Sequence, residues 1–163
     1  MRRIALAGTR AGFTRVLVHG LGDDGALAGT WPRQLGAAEG KLPPSPLRIV
    51  LIPANIVPRP DWLRSLLEAR VEPDTLYVDT SMATLIETDE PDRVLAAASR
   101  CRHARELVAT LRERFGEGAW QFDPAGRFPL GGPGDVAGAE AWLLKSLVKP
   151  SEGFMSRHLA RRI

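Results

Sequence analysis

Residues 48–70 read RIVLIPANIVPRPDWLRSLLEAR, a strand followed by a helix. RIVLIP, at 48–53, is the strongest strand signal in the chain. Its continuous apolar run predicts a central parallel strand covered on both faces. The Pro58-Arg59-Pro60 corner, or Asp61, then starts a helix. Trp62, Leu63, Leu66 and Leu67 share one face of it, which predicts packing against the sheet.

Working outward, the same alternation recurs. Upstream, Ile4, Leu6, Ala7, Ala11 and Phe13 follow a helical rhythm with Gly12 as its C-terminal stop. RVLVH at 15–19 reads as a short buried strand, and residues 20–46 read as a Gly- and Pro-rich connection. Downstream, TLYVDTSMATLIET at 75–88 predicts two short strands around Asp79–Ser81. Asp89 caps a helix reaching about Arg100, a second helix covers about 103–115, and a short strand is expected at Arg127–Leu130. Asp135 opens a helix to about Val148, Lys149-Pro150 breaks it, and Ser151 caps a last short helix with Glu152 in its first turn. Strands alternating with helices predict an α/β fold with a mostly parallel sheet sandwiched by helices.

The 163 residues suit one domain, and 44% hydrophobic with 25% charged residues is ordinary for a soluble globular protein. The single cysteine, Cys101, excludes an internal disulfide or a cysteine-based zinc site. Its nearness to His103 is read as structural, because residues two apart on a helix point in different directions. No apolar run is long enough to cross a membrane. The N-terminus is too broken by Gly8, Thr9 and Arg10 for a signal peptide, so the chain reads as cytoplasmic.

The charge is uneven. Within 145–163, Lys145, Lys149, Arg157, Arg161 and Arg162 face one carboxylate, Glu152. That is four net positive charges where the whole chain carries three, so residues 1–144 carry one net negative charge. Met155, Leu159 and Ile163 recur every four residues beside Phe154, with Arg157, His158, Arg161 and Arg162 on other faces. This basic amphipathic segment suits an anionic lipid surface, an oligomer contact or a frayed terminal helix. The patch is small and without interleaved aromatics, which argues against nucleic acid.

Motifs for catalysis are weak. Gly20, Gly22 and Gly25 spell GxGxxG after a strand, but Asp23 and Asp24 would oppose a phosphate, and a solvated loop is expected. No Walker loop or GxSxG elbow is present, and Ser81 reads as a turn residue. Ligands of open α/β sheets bind beyond the strand C-termini. The strand at 48–53 leads there to Asn55, a neutral oxygen where a divalent cation would want a carboxylate. Asp79 and Asp123 end other segments and could contribute, although a lone aspartate is usually a turn former.

The run AEAWLLKSLVKPSEGFMSRHLARRI (139–163) resembles the segment that joins an N-terminal cytosolic domain to the membrane domain of CDP-alcohol phosphatidyltransferases. Ala139-Glu140, Leu143-Leu144, Lys149-Pro150, Glu152-Gly153, Ser156-Arg157 and Arg161-Arg162-Ile163 carry the likeness. More loosely, 1–148 resembles the nucleotidyltransferase-like, Rossmann-like domain fused to some of these enzymes. RIVLIPANIVPRPDWLRSLL stands for its metal-site strand and next helix, and GPGDVAGAEAWLL for its closing helix. The family's Gly-rich nucleotide loop would precede Met1, which implies an N-terminally shortened fold. Asn55 stands for one metal-site acid, and Pro129-Leu130-Gly131 occupies the place of the other.

The resemblance implies a nucleotidyltransferase-like domain over 1–148 and a juxtamembrane basic helix over 149–163. Catalysis is not expected of this chain alone. Asn55 and Asp79 mark a vestigial pocket, and no metal or cofactor is expected. Phe154, Met155, Arg157, Leu159, Arg161, Arg162 and Ile163 would contact the membrane. The partners implied are a C-terminal membrane domain, an anionic membrane surface and a second copy in a homodimer, with the chain at the cytoplasmic face of the membrane. One alternative is an active sugar- or inositol-phosphate cytidylyltransferase using CTP and Mg²⁺, with Asp79, Asp123 or Asp135 replacing the usual acids. Another is a stand-alone soluble domain that dimerises through its tail.

Overall fold

The computed structural model describes residues 2–18, 33–34 and 44–147. Two compact units are present, Met1–Pro129 and Leu130–Ile163. The GLGDDG string, most of the 20–46 connection and the whole tail from Val148 onward lie outside the described residues.

The first unit begins with α1 (Arg2–Ala11). Gly12 ends it at φ +105, a left-handed value that L side chains rarely adopt, and its N–H donates to Thr9 O at 3.0 Å. Of the predicted 15–19 strand, β1 (Leu17–Val18) pairs in parallel with β2 (Arg33–Gln34). β3 (Leu47–Leu51) runs to the turn at Ala54-Asn55, where Ile56 N–H donates to Pro53 O at 3.1 Å. β4 (Ile56–Pro58) follows, then α2 (Pro60–Glu68) with Pro60 in its first turn and Trp62, Leu63 and Leu66 buried as their spacing predicts.

β5 (Thr75–Val78) turns tightly into β6 (Thr84–Thr88). α3 (Pro91–Arg100) and α4 (Ala104–Arg112) form a helical hairpin. Thr88 Oγ1, rather than Asp89, accepts from the Glu90 N–H ahead of α3, at 3.1 Å. β7 (Gly116–Gly118), a single 3-10 turn (Pro124–Gly126) and β8 (Arg127–Pro129) complete the unit.

The fold is mixed α/β, and its main sheet has the order β3-β6-β5-β7. β6 is antiparallel to both neighbours, whereas β5 and β7 are parallel. The expected mostly parallel sheet is therefore corrected to a mixed one. The cause is local: the Asp79–Ala83 turn is too short for a crossover, so β6 folds straight back and inserts between β3 and β5. β3, β5 and β7 still run in one direction. β3, which takes in Arg48–Leu51 of the predicted strand, lies at one end of this sheet, not its centre. The deeply buried strand is β6, where Thr84, Leu85, Ile86 and Thr88 are all nearly inaccessible. Thr88 can be buried because its hydroxyl donates to Asp74 Oδ1 at 2.6 Å.

Side-chain alternation sorts the core into two layers. Val50, Tyr77 and Leu85 pack with Ala7, Ala11, Trp62, Leu63 and Leu66 from α1 and α2. Ile49, Leu51, Leu76, Val78 and Ile86 pack with Val94, Ala97, Leu107 and Leu111 from α3 and α4. The sheet is thus sandwiched between two helical layers, as the amphipathic patterns predict. Arg48 ties the end of α2 to the sheet. Its Nη1 donates to Leu67 O and to Ala69 O (2.7 Å), while Nη2 meets Glu87 Oε2 at 2.6 Å.

In the second unit, α5 (Asp135–Leu147) starts where its aspartate predicts. Among the described residues no helix is long and apolar enough to cross a membrane.

Candidate functional site

The co-directional strands put their C-terminal ends on one edge of the sheet. Leu51 of β3, Thr84 of β6 and Val78 of β5 lie in one register row, and Gly118 of β7 pairs with Tyr77. The β4·β8 ribbon, with Pro58 opposite Arg127 and Ile56 opposite Pro129, brings Arg127 to this edge.

Asp79 follows β5 there, and its carboxylate is fully occupied. Ser81 N–H (2.7 Å), the Ser81 hydroxyl (2.5 Å) and Ala83 N–H (3.1 Å) all donate to Oδ1. Arg127 Nε donates to Oδ2. The two side chains retain 1% and 10% of their accessible surface, so the ion pair is nearly dry. The rest of the guanidinium is also committed, Nη1 to Pro124 O at 3.3 Å and Nη2 to Thr80 Oγ1 at 3.1 Å.

This arrangement holds a turn. A cation at Asp79 would have to displace or face a buried guanidinium, and general-base work would need a lone pair that the turn already uses. Asn55, the other expected pocket residue, is exposed on the β3–β4 turn. It lies three residues from Pro58 along the ribbon, about 10 Å of extended strand from the position opposite Arg127. The structure therefore engages the two marked residues separately, Asp79 in a buried turn and Asn55 at the surface.

The two substitute carboxylates are likewise tied into local structure. Asp123 Oδ1 accepts from Ala125 N–H at 2.8 Å, capping the 3-10 turn. In the second unit, Asp135 Oδ2 accepts from Gly131 N–H (2.7 Å) and Gly132 N–H (3.1 Å), closing the loop before α5. Among the described residues no group of three or more His, Cys, Asp or Glu side chains converges as a metal site would require. Cys101 is buried at the end of α3, and His103 is exposed ahead of α4. They face apart because they flank an interhelical turn, not because they share a helix.

Arg127 is the residue that sequence reasoning missed. Its signal is a lone charge in the otherwise apolar Arg127–Leu130 strand segment, but nothing local identifies an acid 48 positions upstream. Trp62 lies against Gly126, the residue before Arg127, and belongs to an aromatic group. Trp62 and Trp120 have ring centroids 6.2 Å apart, and Phe122 meets Trp120 edge-on at 4.8 Å. Trp62 Nε1 is buried with no hydrogen-bond partner among the described residues.

A scan against protein-family models finds no match, and searches of curated proteins and of solved structures find none either.

Proposed function

We propose that this chain is the N-terminal cytosolic portion of a membrane-bound CDP-alcohol phosphatidyltransferase, a nucleotidyltransferase-like domain that has lost its own chemistry. The intact protein would transfer a phosphatidyl-type group from a CDP-linked donor to an alcohol. The portion up to Val148 would present, regulate or dimerise the membrane domain. The segment from Lys149 to Ile163 would lie at the cytoplasmic membrane surface, with Phe154, Met155, Leu159 and Ile163 toward lipid and Arg157, Arg161 and Arg162 toward anionic headgroups.

The likeness of 139–163 to the family's joining segment supports the parentage. The Arg127–Asp79 pair carries the loss of chemistry. Metal-assisted nucleotidyl transfer needs carboxylates free to hold the cation that neutralises a triphosphate. Asp79 spends its charge on Arg127, Asp123 and Asp135 spend theirs on backbone N–H groups, and Asn55 has none.

The test is expression of the natural reading frame with whatever follows Ile163 retained. Membranes are then supplied with a CDP-linked lipid donor and a panel of alcohols, in parallel with purified residues 1–163 and CTP·Mg²⁺. Phosphatidyl transfer by the membranes, and no CTP turnover by residues 1–163, is expected. A soluble full-length product without transferase activity sinks the parentage. Metal-dependent CTP turnover by residues 1–163 sinks the loss of chemistry.

A further inference from the structure

We propose that the turn between α3 and α4 is a second contact for an anionic lipid surface, separate in the chain from the basic tail. The inference rests on the membrane-proximal reading above and adds a face of the first unit to it.

The helical hairpin is electrically lopsided. At one end, where α3 begins and α4 finishes, arginines are neutralised: Glu90 pairs with Arg93 (3.5 Å) and Arg114 (3.0 Å), and Arg112 with Glu117 (2.7 Å). At the other end the sequence SRCRHARE (99–106) places Arg100, Arg102, His103 and Arg105 within six residues, all exposed. None of these arginines has a carboxylate partner among the described residues. The nearby acid, Glu106, turns its Oε2 to the Arg102 backbone N–H at 3.0 Å.

Arg100 is placed favourably in the last turn of α3, but local electrostatics make the other two arginines costly. Arg105 sits in the first turn of α4 and Arg102 just before it, at the positive end of the helix dipole, where an anion is favoured and a cation is not. The first turn carries one acid, Glu106, against the two arginines Arg102 and Arg105. The clustering is not a by-product of a basic body either, since residues 1–144 carry one net negative charge. An exposed turn with three guanidiniums that have no carboxylate partner among the described residues, and with no Phe, Tyr or Trp, suits a broad anionic surface. It does not suit a stacked base or a small anion enclosed in a cleft.

The test is flotation of residues 1–163 with vesicles of phosphatidylcholine alone and of phosphatidylcholine mixed with phosphatidylglycerol. Three charge-matched variants are compared, each checked for an unchanged circular dichroism spectrum: R100Q/R102Q/R105Q, the ion-paired control R93Q/R112Q/R114Q, and the tail variant R157Q/R161Q/R162Q. Wild type should bind only the anionic vesicles, and more weakly as salt rises. The turn variant should lose roughly fivefold in partitioning per arginine, up to about a hundredfold, while the paired-end control changes by less than about threefold. If the turn variant floats like wild type while the tail variant does not, this inference falls and the membrane-proximal reading stands. If wild type binds neither vesicle, both fall. If the turn variant loses binding to duplex DNA or single-stranded RNA but not to vesicles, the surface belongs to nucleic acid and the proposal is overturned.

Discussion

Arg127 of β8 donates through Nε to Asp79 Oδ2 at the end of β5, joining two strands that do not pair with each other. The contact links the turn after β5 to the β4·β8 ribbon. Removing one member of a nearly buried ion pair leaves the other charge uncompensated, which costs more than the pair contributes.

Asp79→Asn keeps the turn acceptor but strands the guanidinium, and Arg127→Met strands the carboxylate. Each single change should lower unfolding free energy by about 3–5 kcal/mol in urea titrations. The double variant should recover part of that loss, giving a coupling of at least about 1 kcal/mol. Additive effects would mean that the pair is not the linchpin of the edge.

Asp61 provides a pH signature. Burial raises its carboxyl pKa, but the hydrogen bond and charge of Arg59, with the Trp62 N–H at 2.9 Å, outweigh burial and bring it below the ordinary aspartate value. A carboxyl depressed in the folded state adds stability above its unfolded pKa, and that stability is lost as pH falls through the folded value. Because the Asp61 side chain is exposed, Asp61→Asn should cost less than about 1 kcal/mol at neutral pH. The difference from wild type should shrink as pH falls through the ordinary aspartate range and vanish once pH lies below the depressed folded value. Urea midpoints measured across that range check it, and a gap that widens in acid contradicts the assignment.

Gly126 and Trp62 test the packing above the sheet. A methyl on Gly126 would overlap Cβ, Cγ and Cδ1 of Trp62, so Gly126→Ala should destabilise by about 2–3 kcal/mol. Trp62→Phe removes volume but also removes an indole N–H buried without a partner among the described residues. The two effects offset, and the change should stay within about 1.5 kcal/mol, against about 3–5 for Trp62→Ala. Thermal unfolding distinguishes these. A phenylalanine variant as damaged as the alanine one would show that Nε1 has a partner after all.

Met82 holds φ +66 in the β5–β6 turn, where its N–H donates to Asp79 O at 3.0 Å. A left-handed residue with a side chain is strained by about 1–2 kcal/mol. Met82→Gly should relieve that strain while losing a half-buried side chain, leaving the melting temperature unchanged or slightly raised. Met82→Val, branched at Cβ, should lose about 1–2 kcal/mol. Equal melting temperatures for the valine and glycine variants would remove the strain argument.

These residues also show how far the sequence could be read. The stop of α1 at Gly12, the apolar face of α2, the strand pair around Asp79–Ser81, the short strand at Arg127 and the start of α5 at Asp135 were all legible. Each depends on hydrogen bonds and side-chain spacing within about ten residues. The sheet was less legible. RIVLI is more apolar than TLIET, yet TLIET lies between two strands and RIVLI at the end of the order. Threonines can enter a core when the fold supplies a partner such as Asp74, and composition alone does not reveal that partner.

The site shows the same division. The sequence by itself determined that Asn55 carries no charge, that Asp79 belongs to a turn, and that the net positive charge is concentrated beyond residue 144. Only the tertiary structure decided that Asp79 is neutralised by Arg127, that among the described residues Arg93, Arg112 and Arg114 are paired while Arg100, Arg102 and Arg105 are not, and that β6 inserts between β3 and β5. Local chemistry is written in neighbouring residues. Strand order and ion pairing join segments tens of residues apart, and they are chosen by the energy of the whole core.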